Sequence, residues 1–471
     1  MRVVAGVDSS TQSTKVELRA METGEVVGRS SSPHPATTPP RSEQDPADWW
    51  RAFETAFEAA LGTAGAVEVV GLSVAGQQHG MVVLDDAGEV VRSAKLWNDT
   101  ESAPDAGWLW KQLSGGASDW AAAVGSVPVA AFTITKLSWL HRSEPEAWAR
   151  LAHVLLPHDW MTYRLTGSFV TDRGDASGTG YWSPISGDYR WDLLSVVDRD
   201  RDWTSVVPRV AAPTEVVGEW RGIPVACGTG DNMGEALGLG LAAGTAVVSL
   251  GTSGTAYTVA AAPTADARGE VAGFADASGR YLPLVCTLNA TKVTDTMARL
   301  LGVGREEFDT LASAAPAGAG GVTLLPYFDG ERTPNLPKAT GWLSGIRSDA
   351  SREQLARAAV EGVCCSLLDA LDALAAVAPV DRVVLVGGGA RSAAYREVFA
   401  SLSPLPVATA DADEAVATGA AVQAAAIALG VSHEEVAQRW GLGRTTPVTA
   451  DAASVDVRAA YAALRHSAYP A

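Results

Sequence analysis

The chain has 471 residues, enough for about two to four domains that each bury a core of their own. Hydrophobic residues at 47% and charged residues at 19% fit an ordinary globular protein. A net charge of −18 excludes a nucleic-acid partner, which wants a basic surface, but not ATP, whose phosphates backbone amides and a metal ion can neutralise locally.

Residues 3–18 (VVAGVDSSTQSTKVEL) read as a hairpin, with strands at 3–7 and 15–19 around a turn crowded with Ser and Thr. Such a tip leaves N–H groups and hydroxyls to wrap phosphate oxygens, although it also serves simply to join strands. A Pro/Ser linker at 30–46 leads to a helix from Asp48, whose Trp49, Trp50, Phe53 and Phe57 fall at helical spacing and read as core. Strand 69–75 ends in the polar loop 76–80, and 81–84 is the next strand. Residues 101–147 read as helical with breaks at 115–116 and Pro128, and 172–182 as a loop. Strand 223–227 precedes a Gly/Ala-rich helix at 231–241.

The plan then repeats. A second hairpin, AVVSLGTSGTAYTV at 246–259, is followed by a variable region at 260–321, a helix at 351–376, strand 382–386 entering Gly387-Gly388-Gly389, and an Ala-rich helix at 414–429. Two such hairpins, each opening one half, predict a duplicated domain clamping one nucleotide, divided as 1–244 and 245–471. A C-terminal helix at 455–467 is free to dock on either half. The apolar stretch 415–431 is mostly Ala and carries Gln423, so it reads as a buried helix and not as a membrane partner. The four cysteines form no CxxC and read as buried reduced thiols; with no signal peptide at the N-terminus, a cytoplasmic location is expected.

Several positions admit two readings. Asp8, ending the first strand, is either a turn cap or a carboxylate that orients Mg²⁺, while Lys15 reads as a strand residue leaving the site. Asp231, in CGTGDNMGEALG, suits a helix N-cap first and a general base second; the glycines there are not spaced as GxGxxG. Gln78 and His79 in GQQHG, and the Trp97-Asn98-Asp99 run, present amide, imidazole, aromatic and carboxylate groups suited to a polyhydroxylated ligand. The Gly387-Gly388-Gly389-Ala390 turn lets a nucleotide approach bare backbone or merely joins strand to helix. Walker A and protein-kinase motifs are absent from the sequence.

Taken together, these segments resemble the FGGY carbohydrate kinases over nearly the whole length, and within them the kinases of D-xylulose. The carriers are Gly341-Trp-Leu-Ser-Gly-Ile346 followed by Gln354-Leu355 and Ala358-Ala-Val-Glu361, which fit the family's second signature, and Phe132–Leu140, which matches the first loosely at both ends. GQQHGMV, WND and GTGDNMG look like the site loops of that branch, whereas a glycerol kinase is expected to carry Arg-Glu where Gln78-His79 stand. Ser10 departs from the Gly usual in the first hairpin, which puts the phosphate geometry there in question.

The resemblance implies an α/β fold of two actin-like, ribonuclease-H-like domains, with ATP in the cleft between them and domain closure excluding water. It implies Asp231 as catalytic base, Asp8 as an acidic residue near Mg²⁺, and a sugar held by Gln78, His79, Trp97, Asp99 and Asn232. ATP is expected on Ser10, Thr11 and Gln12, on Gly251, Thr252, Ser253 and Gly254, and on Gly388, Gly389 and Ala390. The implied reaction is phosphorylation of D-xylulose at its 5-hydroxyl by ATP. A kinase of ribulose, fuculose, gluconate or glycerol is the alternative within the class, and a non-catalytic actin-like ATP-binding protein the alternative outside it. A sugar and ATP are the expected partners; a homodimer is left open.

Overall fold

The computed structural model describes residues 1–451 and 455–470. Contacts divide the chain into two compact units, Met1–Leu241 with Ala261–Leu282 and Ala412–Gly443, and Ala242–Ala260 with Pro283–Asp411 and Arg444–Ala471.

The first unit is built on a mixed sheet in the order Val26–Pro33, Ser13–Ala20, Arg2–Ser9, Glu68–Gly76, Ile223–Ala226, Val216–Trp220. The first three strands alternate in direction, Arg2–Ser9, Glu68–Gly76 and Ile223–Ala226 are parallel, and the last turns back. The second unit repeats this pattern strand for strand: Tyr281–Thr287, Gly254–Thr258, Thr245–Leu250, Arg382–Val386, Val407–Ala410, Thr445–Val448. The expected duplication is therefore present in the order and directions of the strands, although the chain visits the last two in opposite order in the two units. One expectation changes: Ser30–Pro33, read as linker, completes a third strand, because its polar residues sit on an edge paired only with Ser13–Ala20.

Between the third and fourth strands each unit carries a helix that covers one sheet face. Pro46–Ala64 starts on the Asp45 carboxylate, which accepts the Ala47 N–H, with Pro at its first position. Its Trp49, Phe53 and Phe57 recur every four residues and bury against Val3, Val7, Leu18 and Val74. Arg352–Ala375 opens on a Ser351–Gln354 capping box and buries Cys364 and Cys365. All four cysteines are free thiols, Cys286 only half-buried.

The helix Ala415–Leu429 clusters with the first unit and packs on its sheet and on the helix Asp231–Gly238. The approach is so close that a Cβ on Gly6 would lie 2.0 Å from the Ala417 carbonyl oxygen, and one on Gly238 1.8 Å from that of Ala415. Glycine and alanine in these segments thereby bring the start of the alanine helix, Glu414, beside the end of the first hairpin. Gln423 is buried, accepting from Ser73 Oγ and donating to the Gly228 carbonyl. The C-terminal helix, Val457–Ala468, packs within the second unit, where Tyr461 meets the Tyr327 hydroxyl at 3.0 Å. No single helix among the described residues is long and apolar enough to cross a membrane.

Candidate active site

Asp8 closes the strand Arg2–Ser9, paired across the hairpin with Lys15 and alongside Ala75. Burial pushes its carboxyl up to about 7, against the pull of Lys15. Its Oδ1 is buried with no hydrogen-bond partner among the described residues. Lys15 does not leave the site: its Nζ stands 3.7 Å from Asp8 Oδ2 and 2.6 Å from Glu414 Oε2, because cross-strand partners share a sheet face.

At the hairpin tip Ser10 keeps an ordinary negative φ, so the turn asks for no glycine. Its N–H and Oγ both donate to the Ser13 carbonyl, so the Ser10 amide expected on phosphate is held within the turn. Thr11 is turned toward the expected sugar residues: its hydroxyl accepts from Trp97 Nε1 at 2.9 Å and donates to Gln77 Oε1 at 3.2 Å. Gln12 is exposed at the tip.

Asp231 is the first residue of the helix Asp231–Gly238, and its Oδ1 accepts the Asn232 N–H at 2.8 Å and Asn232 Nδ2 at 3.0 Å. It does not cap that helix; Gly230 stands at the cap position. Although part of its surface is open, desolvation and then the charges of Asp8 and Asp175 lift its carboxyl to about 8. Asn232 Nδ2 also donates to Gln78 Oε1 at 2.6 Å, fixing the Gln78 amide and leaving its Nε2 a buried donor with no hydrogen-bond partner among the described residues. His79 has φ +65° and donates from Nδ1 to the Gly178 carbonyl at 2.8 Å, since a carbonyl can only accept. Phe132 and Phe274 pack on its ring at 4.9 and 5.6 Å between centroids.

Asp231, Asn232, Gln78 and Asp8 thus form one group, with Thr11 and Trp97, 43% exposed, joined through Gln77. Gln77 was not among the expected contacts, yet its Nε2 is buried with no hydrogen-bond partner among the described residues. Asp99 does not join them. It is fully buried and committed to Lys95 Nζ at 2.9 Å, the Ser42 N–H and the Glu101 N–H, so it anchors its own loop. The loop expected at 172–182 contains a one-turn helix, Arg173–Ala176, and with it a cluster the motifs did not reveal: His158 between Asp175, Asp159 and Asp172.

In the second unit a cavity of about 720 Å³ is lined by Gly251, Thr252, Gly388, Gly389, Ser392 and Tyr395 among others. Ser253, Gly254 and Ala390, expected with them, lie outside this lining. The Gly251 and Thr252 carbonyls are occupied by the N–H groups of Thr291 and Ala290 at the start of the helix Thr291–Leu301. Asp309, also in the lining, accepts from Ser392 Oγ and from the Ala393 and Ala394 N–H groups, steadying the glycine turn.

The FGGY family of carbohydrate kinases matches this chain with its N-terminal domain over residues 3–238 and its C-terminal domain over residues 246–428. A xylulose kinase of Streptomyces rubiginosus is 47% identical over 93% of this chain and 90% of its own length. That of Streptomyces coelicolor is 48% identical over the same shares. The crystal structure of xylulose kinase from Bifidobacterium adolescentis superposes with a TM-score of 0.87 at 39% identity, covering 98% of this chain and 99% of that one.

Proposed function

The chain belongs to the FGGY family of carbohydrate kinases, and we propose that it transfers the γ-phosphoryl group of ATP to the 5-hydroxyl of D-xylulose. The observation that carries the chemistry is Asp231: a carboxylate raised to about 8, hydrogen-bonded to Asn232 and through it to the Gln78 amide. A base so raised has a strong affinity for the proton of an attacking hydroxyl. Asp231 accepts that proton as the hydroxyl oxygen attacks phosphorus, and the γ-phosphoryl group leaves ADP.

Gln78, His79 and Asn232 are assigned to the sugar hydroxyls and Trp97 to its carbon face. The Nδ1–H of His79 is fixed on Gly178, so its ring stands in one orientation between Phe132 and Phe274. Two aromatic walls around a polar contact suit a sugar, whose apolar face and hydroxyls must both be matched. The buried, unpartnered Oδ1 of Asp8 is a hard oxygen donor and fits Mg²⁺, so Asp8 is the residue assigned to the metal. When bound, Mg²⁺ supplies charge neutralisation at the transferring phosphoryl group. The cavity bordered by Gly388 and Gly389 is assigned to adenosine, where bare backbone leaves room for a flat base.

The test is a coupled assay for ADP release with D-xylulose, D-ribulose, L-ribulose, glycerol and gluconate supplied separately. Release that depends on D-xylulose is expected. Slow turnover indifferent to sugar would replace this reading with that of an actin-like ATPase.

A further inference from the structure

Beneath the two loops assigned to the sugar lies a buried ion pair whose contacts the steps above do not use, although the Asp175 charge helps to raise the Asp231 carboxyl. His158, in the first turn of the helix Pro157–Thr166, packs under both loops. A Cβ on Gly76 would lie 2.9 Å from the His158 Cβ, and one on Gly228 2.7 Å from its Cδ2. Gly76 opens the segment carrying Gln77, Gln78 and His79; Gly228 opens the one carrying Asp231 and Asn232. The His158 Nδ1 stands 2.8 Å from Asp175 Oδ2, both side chains fully buried, with Asp159 at 3.1 Å and Asp172 at 3.6 Å from Nε2. Burial drags the imidazolium down, but these three carboxylates outweigh it and lift it to about 9; across the 2.8 Å contact the Nδ1–H donates to the Asp175 carboxylate.

From Asp175 the connection runs on through the backbone. The Asp175 carbonyl accepts the Gly178 N–H at 2.9 Å, and the Gly178 carbonyl accepts from His79 Nδ1 at 2.8 Å. Nothing larger than glycine fits at the last link, since a Cβ there would lie 2.5 Å from His79 Cε1. A buried ion pair adds little net stability over apolar packing of the same volume, so a geometric role explains its presence better than a stabilising one.

We propose that His158 and Asp175 are a positioning pair for the sugar site. Their contact fixes the turn 173–178, whose last carbonyl sets the His79 ring, while the bulk of His158 spaces the Gln77-Gln78-His79 segment from the Asp231 segment. The inference rests on the kinase reading for the identity of the ligand alone.

The test uses the full chain carrying Asp175→Ala, with Asp175→Asn as the conservative variant. In Asp175→Ala the KM for D-xylulose rises about 10- to 100-fold, the scale of one charge-assisted hydrogen bond, while the KM for ATP holds within about twofold. Asp175→Asn, which keeps an acceptor for His158, recovers most of the sugar KM. In parallel, ¹⁵N-histidine NMR, with His79 assigned through His79→Gln, reports the Nδ1–H form of His79 in the wild type and its loss in Asp175→Ala. A folded Asp175→Ala protein with sugar KM and His79 signal unchanged overturns the proposal. A parallel fall in all kinetic constants with that signal intact overturns it too, reducing the pair to a stabilising element. Should Asp175→Ala fail to fold, His158→Gln carries the test from the other partner: a raised sugar KM with ATP KM held and an altered His79 signal supports it, and an unchanged sugar KM with the His79 signal unchanged overturns it. If the wild type phosphorylates no sugar, the kinase reading falls, while the His79 signal in the two proteins still decides the positioning role.

Discussion

Asp8 pairs with Ala75, the residue before Gly76, and Ser249 with Val386, the residue before Gly387, so the two hold equivalent places. Asp8 pairs across its hairpin with Lys15, and Ser249 across its own with Thr255. Past the glycine, the first unit continues with Gln77-Gln78-His79 and the second with Gly388-Gly389-Ala390. One copy of the topology therefore presents charge and amides, the other hydroxyls and bare backbone. The shared strand pattern supplies two places where a phosphate-bearing ligand can be met, and the substitutions at the strand ends decide what each place does with it. The roles proposed for the first copy, a base, a metal-binding acid and a sugar amide, call for charged or polar side chains. A nucleotide base needs mainly room.

Breaking the chemical half gives the largest effect. Asp231→Asn removes the proton acceptor while keeping the contact to Asn232, and kcat falls by about 10²- to 10⁴-fold with the KM for D-xylulose little changed. Near-full activity in the coupled assay would end the assignment of Asp231. Next comes Asp8→Asn, expected to cost on the order of 10²-fold and to raise the Mg²⁺ concentration needed for half-maximal rate. Its counterpart Ser249→Ala sharpens the contrast: there the rate should stay within about threefold, as for a half-buried hydroxyl with no part in the transition state. Equal losses at Asp8 and Ser249 would contradict the division of roles between the copies.

Most strands, the long helices and the two hairpin tips were legible because periodicity and turn chemistry are local properties of the sequence. Gln78, Asn232 and Asp231 could be named from their loops, and the structure brings them together. What was not legible depends on partners distant in sequence. Asp99 looks as available as Asn98 until the distant Ser42 N–H is seen to occupy it together with the nearby Lys95. Lys15 looks like an outgoing strand residue until the hairpin register sets it opposite Asp8 and the alanine helix delivers Glu414. His158 is a single histidine in a helix start, and only the fold carries Asp172 and Asp175 to it. The acidic pair in 172–182 was the one available signal, and without the histidine beside it a turn explains it equally well.

The second copy is tested more gently. Gly388 borders the 720 Å³ cavity and a Cβ there meets nothing within 4 Å, so Gly388→Val fills the site without straining the fold. The KM for ATP should rise on the order of tenfold, the scale of a few misplaced methyl groups, while the KM for D-xylulose holds. The smallest effect returns to Asp231 and concerns stability. Because its folded-state value is raised from 3.8 to about 8, the folded chain holds that proton more tightly than the unfolded chain does. Stability contributed by the protonated carboxyl is full below pH 4 and is lost as the pH rises toward 8. At pH 9 the metal-free wild type therefore bears the whole cost of a desolvated charge near Asp8 and Asp175, whereas Asp231→Asn bears none. Thermal melts should place the variant above the wild type at pH 9 and show the gap closing toward pH 4. A gap that widens on acidification would mean that Asp231 is stabilised as a carboxylate in the fold, and a base so stabilised would be too weak for the role assigned to it.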